Sequence, residues 1–360
     1  MRFTVVQTLI ASLLAAGSVA AQSTPPGLVF TMTNDASGNS VHAYVRNAGG
    51  YLSAAGHFAT GGNGTGASLG SQGSLALSRN QQWLLVVNGG SNQLSVFRIT
   101  RNGLMLTDTV DSGGTLPVSV TTAGPLAYVV NSGSDSIAGF ALSAGGKLAM
   151  IPGSIQSLSA SGAGPAQIQF NPEGDTLVVT EKNTNMITVF AIGAGGAAMP
   201  GQSFPSSGMT PYGFAFAKRR QLIVSEAFGG TAGASAASSY RLRESGELMT
   251  ISPSVKNTQS ASCWLTTDMA GQFAFVSNTG SNTISSYTID FDGELTLLQA
   301  AAAQTGNAPA DSALTADGRF LYVHNEDGGI NGYAVMSDGS LTPIRSVGGL
   351  PASSVGLVAR

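Results

Sequence analysis

Glu181, Lys182 and Glu226 are the residues of this 360-residue chain best suited to chemistry. Glu181 and Lys182 follow the apolar run LVVT, and Glu226 closes LIVSE, so each carboxylate ends a β-rich segment. A carboxylate placed this way can act as general acid or base, and a neighbouring ammonium can hold an oxygen that gains charge. At the five equivalent places the chain carries Asn34, Asn88, Asn131, Asn278 and Asn325. Asn suits these positions because its side chain supports tight turns and it tolerates left-handed backbone. Glu forms turns less well and costs free energy to bury without partners. Its appearance in two consecutive repeats therefore marks one sector as a candidate site. The competing reading makes both Glu turn and interface residues. Gln167, Tyr212, Trp264, Asn278, Asp311, His324 and Asn325 are placed by the same pattern as candidate substrate contacts. His42 and His57 fall on outer strands, and Cys263 reads as a buried, inert thiol.

These residues recur with a repeated phrase. An apolar β-rich run, a Gly/Ser/Asn turn and a second alternating run appear as WLLVVNGGSNQLSVFRI from Trp83, LAYVVNSGSDSIAGFAL from Leu126 and FAFVSNTGSNTISSYTID from Phe273. This is a hairpin signature. Counting looser copies gives seven, at intervals of roughly 40 to 55 residues, the period of four-stranded propeller blades. An all-β, seven-bladed propeller of four-stranded antiparallel blades is predicted over residues 22–360, as one domain. With strand a innermost and d outermost, the ends of the b strands and the starts of the a strands share one face, where a site is expected. Blade 1 has Leu28–Asn34, Ser40–Arg46 and Tyr51–Thr60 but no inner strand. Ser353–Ala359 alternates as a strand should, so the C-terminus is predicted to close the ring in blade 1, which would remove the open edges.

Composition fits: 48 Gly, 10% charged and 42% hydrophobic residues suit buried strands joined by tight turns. A net charge of −3 without a Lys/Arg cluster speaks against nucleic acid or anionic membrane as partner. Residues 1–21 have Arg2, an apolar core LIASLLAA and small residues at Val19-Ala20-Ala21, the pattern of a secretory signal too short for a membrane span. The mature protein is expected to be a monomer, secreted or extracellular, and periplasmic if the host has two membranes. One Cys excludes an intramolecular disulfide. No cofactor is expected. Oxygen ligands from Glu181, Glu226 and neighbouring Asn suit a hard cation such as calcium, but a seven-bladed mouth is too wide for all of them to reach one ion.

The stretches PAQIQFNPEGDTLVVTEKNTNMITVF (165–190), PYGFAFAKRRQLIVSEAFGG (211–230), SCWLTTDMAGQFAFVSNTGSNTISSY (262–287) and LTADGRFLYVHNEDGGINGY (314–333) resemble the seven-bladed lactonase-like propellers. That group includes 6-phosphogluconolactonases and 3-carboxymuconate lactonising enzymes (cyclases), and the resemblance spans nearly the whole mature chain. It implies a catalytic set of His and Arg near the starts of inner strands with a Glu in the channel. Glu181 and Glu226 match acidic positions of this kind. Ala166 follows Pro165 where the family has His, and Cys263-Trp264 stand where an Arg-His pair often begins a strand. With those cations missing, burying several negative charges against one Lys is unfavourable. The expected substrate is a neutral or mono-anionic lactone, or a carbohydrate- or aromatic-derived acid, hydrolysed or cyclised with Glu181, Glu226 and Lys182. The alternative is a non-catalytic extracellular binding module or surface antigen.

Overall fold

The computed structural model describes residues 27–360; the expected secretory segment at 1–21 lies outside them. Seven antiparallel sheets follow one another along the chain, six of four strands and one, blade 3, whose outer strand is broken into Leu148–Met150 and Gln156–Ser157. The strand ending each first hairpin is buried along its whole length in most blades, as in Trp83–Asn88 and Thr176–Glu181. A b strand has a neighbouring blade on either face, so it reads as a continuous apolar run. Successive side chains serve the two seams in turn. Leu177 and Val179 pack against blade 3 beside Tyr128 and Val130, whereas Val178 packs against blade 5 beside Phe214 and Val224. Outer strands bury much less: in Leu52–Ala59 only the first residue is buried.

The ring closes as the sequence indicates. Val355–Ala359 pairs antiparallel with Gly27–Met32, with Phe30 opposite Val358 and Met32 opposite Val355, and so supplies the inner strand of blade 1. Ser353 Oγ donates to Thr33 O at 2.8 Å and Thr31 Oγ1 to Val355 O at 3.2 Å.

The inner strands of blades 3 to 7 begin alike. A residue with left-handed backbone (Leu116, Gly164, Thr210, Ala261 and Ala308, φ from +49° to +62°) precedes Pro117, Pro165, Pro211, Ser262 and Pro309. A register shift follows within the next residues. Each of these carbonyls accepts from the backbone just beyond the partner b strand, as Gly164 O does from Lys182 N at 3.1 Å. Four of the five are not glycine, and left-handed backbone costs an ordinary residue about 1 kcal/mol or more. These bulges turn the side chains around the upper mouth of the channel, the face where b strands end.

Candidate functional site: the upper channel mouth

Residues 68–73, between the outer strand of blade 1 and Leu75–Leu77 of blade 2, lie across this mouth as a strap. Ser71 Oγ donates to Val118 O at 2.9 Å, and Val120 N donates to Gly73 O at 2.8 Å, both in blade 3. Gln72 N donates to Ala166 O of blade 4 at 2.9 Å. On the far side Trp264 Nε1 donates to Ser71 O at 2.9 Å. The Gln72 amide pairs with the backbone of Leu265, donating to its O at 2.7 Å and accepting from its N at 2.9 Å, as another strand would. Gly213 faces this amide so closely that a Cβ there would collide with Gln72 Oε1 and Cys263 O.

Against the strap stands a polar cluster from blades 4 to 7. Lys182 Nζ donates to Gly70 O and lies 4.9 Å from the centre of the Tyr212 ring. That ring is 5.1 Å from Trp264. The carboxylate of Asp311 accepts from Gly73 N at 3.3 Å and from Gly356 N at 3.0 Å, tying the strap to the ring-closing strand. Burial sets the electrostatics. It pushes the Asp311 carboxyl up to about 7 against the pull of its backbone donors. It lowers Lys182, opposed by nearby Cys263, and raises the Tyr212 phenol well above its ordinary value, with Cys263, Asp311 and Glu326 adding to the shift. A carboxyl that titrates near neutrality can exchange a proton at working pH. Two donors that already hold carbonyl oxygens can hold another.

Lys182, Tyr212, Trp264 and Asp311 are thus brought together, and the other candidates stand elsewhere. Glu181 is fully buried in the seam toward blade 3: Oε1 accepts from Ser159 N at 3.1 Å and Thr188 Oγ1 at 2.6 Å, and Oε2 from Thr184 Oγ1 at 2.8 Å and from Ser159 Oγ. Glu226, also fully buried, accepts from Gly208 N at 2.8 Å, Ser254 Oγ at 2.6 Å and Ser238 Oγ. Burial raises its carboxyl, and these donors oppose the rise. Asn88 and Asn278 make the same bracket with the donor reversed, whereas Asn34 and Asn131 donate to other partners. Asn88 Nδ2 donates to Ser95 Oγ at 2.8 Å and Asn278 Nδ2 to Ser285 Oγ at 2.9 Å. The offset to the hydroxyl is seven residues in both, as it is from Glu181 to Thr188.

Gln167 does not face the upper mouth. After the shift at Pro165 its amide pairs with Phe214, accepting from N at 2.7 Å and donating to O at 3.0 Å, and it lines a lower chamber. Asn325 donates to Asn331 Oδ1 at 2.7 Å inside blade 7. His324 is fully buried, neither ring nitrogen has a partner among the described residues, and burial pushes it down to about 4 despite Asp327. His42 and His57 stack at 5.9 Å on the periphery. Among the described residues no group of three or more His, Cys, Asp or Glu is placed to hold a metal ion. No helix among them is long and apolar enough to cross a membrane.

Cys263 borders the cluster. Burial raises its thiol to about 12, although Thr279 and Lys182 favour the thiolate. Since the thiolate is the reactive form, a thiol reagent is expected to label the native protein slowly and the denatured protein at once. Rapid labelling of the folded state would show an open thiol.

Seven closed blades with an ammonium, a neutral-range carboxyl and two aromatic rings at one channel mouth define the chain as a seven-bladed propeller with a polar upper mouth. Residues 121–234 and 230–349 match the family described as "Lactonase, 7-bladed beta-propeller". The chain belongs to that family. No curated protein matches it in sequence. Among solved structures it is similar to a Lactobacillus plantarum protein (17% identity, 93% of this chain and 99% of that one, TM-score 0.77). It is also similar to the periplasmic gluconolactonase of Pseudomonas aeruginosa (19%, 93% and 98%, 0.73). The hydrazine synthase of Kuenenia stuttgartiensis shares the fold as well (16%, 93% and 100%, 0.58). At such identities the fold alone is common, and activity has to be argued from the site.

Proposed function

We propose that the protein opens the ring of a small neutral or mono-anionic lactone at the upper mouth, or closes it in the reverse direction. The observation that carries this reading is the placement of Asp311, its carboxyl near neutrality, beside Trp264 and the Lys182–Tyr212 pair. The lactone carbonyl oxygen takes the place of Gly70 O on Lys182 Nζ and of Ser71 O on Trp264 Nε1. Ionised Asp311 removes a proton from water as the water oxygen attacks the carbonyl carbon, and the oxyanion that forms stays on the two donors. The bond to the ring oxygen then breaks, and that oxygen takes the proton back from Asp311. The product is a hydroxy acid, and lactone plus water balance it. Glu181 and Glu226 hold the blade seams that position Lys182 and Tyr212. One cation in this cluster suits a substrate with at most one negative charge. The segment 1–21 supports export, and we read the mature protein as a secreted or periplasmic monomer without a nucleic-acid partner.

A panel of γ- and δ-lactones tests this with the purified chain. Turnover is expected, with kcat/KM rising through about pH 7 as Asp311 ionises. Asp311→Asn is expected to lower kcat by roughly 10²-fold or more. A pH-independent rate, or full activity in Asp311→Asn, contradicts the role of Asp311. The eight hydrogen bonds that hold the strap in the mouth favour a second reading, a non-catalytic binding module. Absence of turnover on every lactone decides for it.

A further inference from the structure

The lower end of the channel holds a chamber of about 1210 Å³ that reaches up to Gly73 beneath the strap. It is wide enough for a small ligand with water around it. Its lining comes from the inner strands of blades 2, 3 and 4 and the turns below them, and extends outward to Leu126 and Ala141 of blade 3 and Gly195-Gly196 of blade 4. Leu75, Val120 and Phe170 back the walls but are buried in the blade seams. The apolar surface the chamber offers comes from the half-buried Leu77 and Leu126 and from the exposed Met269 of blade 6 at the rim.

Two charged side chains reach this chamber, and they are not equivalent. Glu173 is engaged: Asn171 Nδ2 donates to its Oε2 at 2.9 Å, and Arg220 Nε lies 3.7 Å from the same oxygen. Arg79, in the turn after the inner strand of blade 2, is exposed and takes part in no ion pair among the described residues. Deeper in, Gln169 lines the same space and its Oε1 accepts from Gln167 Nε2 at 3.2 Å. The uncompensated charge among the described lining residues is therefore positive and sits at the rim with Met269.

We propose that this chamber is a second binding site, for a monocarboxylate with an apolar body. The carboxylate is held by the Arg79 guanidinium, whose planar fork matches it in bidentate geometry. The hydrocarbon lies along Leu77, Leu126 and Met269. A dianion is disfavoured, because Arg79 is the one free cation and Glu173 stands on the same rim. The site lies on the face opposite Lys182 and Asp311 and does not depend on lactone chemistry there.

Calorimetric titration of the full chain with octanoate tests the proposal. Saturable one-site binding is expected. Arg79→Gln, a change at an exposed side chain, is expected to weaken it at least tenfold, octan-1-ol to bind at least tenfold more weakly than octanoate, and Lys182→Met to leave it unaltered. Absence of saturable octanoate binding overturns the site. Equal affinity in Arg79→Gln, or for the alcohol, overturns the assignment of the carboxylate to Arg79. Loss of binding in Lys182→Met would place the ligand at the upper mouth instead and overturn the proposal too. Because octanoate binding is read without turnover, failure here leaves the lactone reading untouched, and the reverse holds.

Discussion

Removal of residues 352–360 is expected to lower the melting midpoint by about 10 °C or more. Val355 and Leu357 are both buried, packing respectively against the core that blades 1 and 2 share and the core between blades 7 and 1. Each contributes about 1.5–3 kcal/mol by burial. The truncation also strips Gly27–Met32 of its inner neighbour and leaves that strand as an unpaired edge beside the channel. Thr31 Oγ1 and Thr33 O lose their partners, and Asp311 loses the Gly356 amide. For a chain of this size each kcal/mol shifts the midpoint by about 1–2 °C, so the two side chains, the lost hydrogen bonds and the lost strand pairing are needed together to reach the stated drop. Scanning calorimetry of the truncated protein checks it. A midpoint equal to that of the full chain would mean that the ring does not depend on this strand.

How much of this was legible beforehand can be followed residue by residue. The blades were, because each buried b strand has to be apolar on both faces and each hairpin turn needs Gly, Ser or Asn. So was the closure, because blade 1 lacked an inner strand while Ser353–Ala359 alternated without a partner. The strap was not legible. Residues 68–73 follow a Gly-rich segment without periodicity, and their partners Trp264 and Leu265 lie 193 residues away, beyond any local pattern. An unbroken strand from Pro165 would set Gln167 on the upper face, and the register shift after Pro165 redirects it. A signal did exist for Glu181: a hydroxyl seven residues on, shared with Asn88 and Asn278. It identifies the residue at the strand end as a bracket to the next strand, whether Asn donates or Glu accepts. Asp311 could be found as a carboxylate near the mouth, but only its burial makes it titrate near neutrality.

The assignment of chemistry to Lys182 rather than to the two Glu carries the second large effect. Lys182 is the cation at the mouth, its ammonium rests on a single carbonyl and a ring face, and the substrate oxygen has no other charged donor in the cluster. Replacing it with Met keeps length and apolar contact with Tyr212 while removing the charge, so the expected loss is roughly 10²–10³ in kcat with the fold retained. The Glu residues are expected to respond the other way. Gln in place of Glu181 or Glu226 keeps the shape but turns one acceptor oxygen into an amide nitrogen facing hydroxyl donors. An unsatisfied buried group costs about 1–3 kcal/mol, which appears as a lower melting midpoint and not as lost turnover. The direct measurement is kcat/KM on the best lactone together with the melting midpoint, for Lys182→Met, Glu181→Gln and Glu226→Gln side by side. The expected result is an inactive but stable Lys182→Met and two active, less stable Gln variants. Gln variants that are inactive with unchanged midpoints, beside a fully active Lys182→Met, would return the chemistry to the carboxylates and contradict the site proposed at the strap.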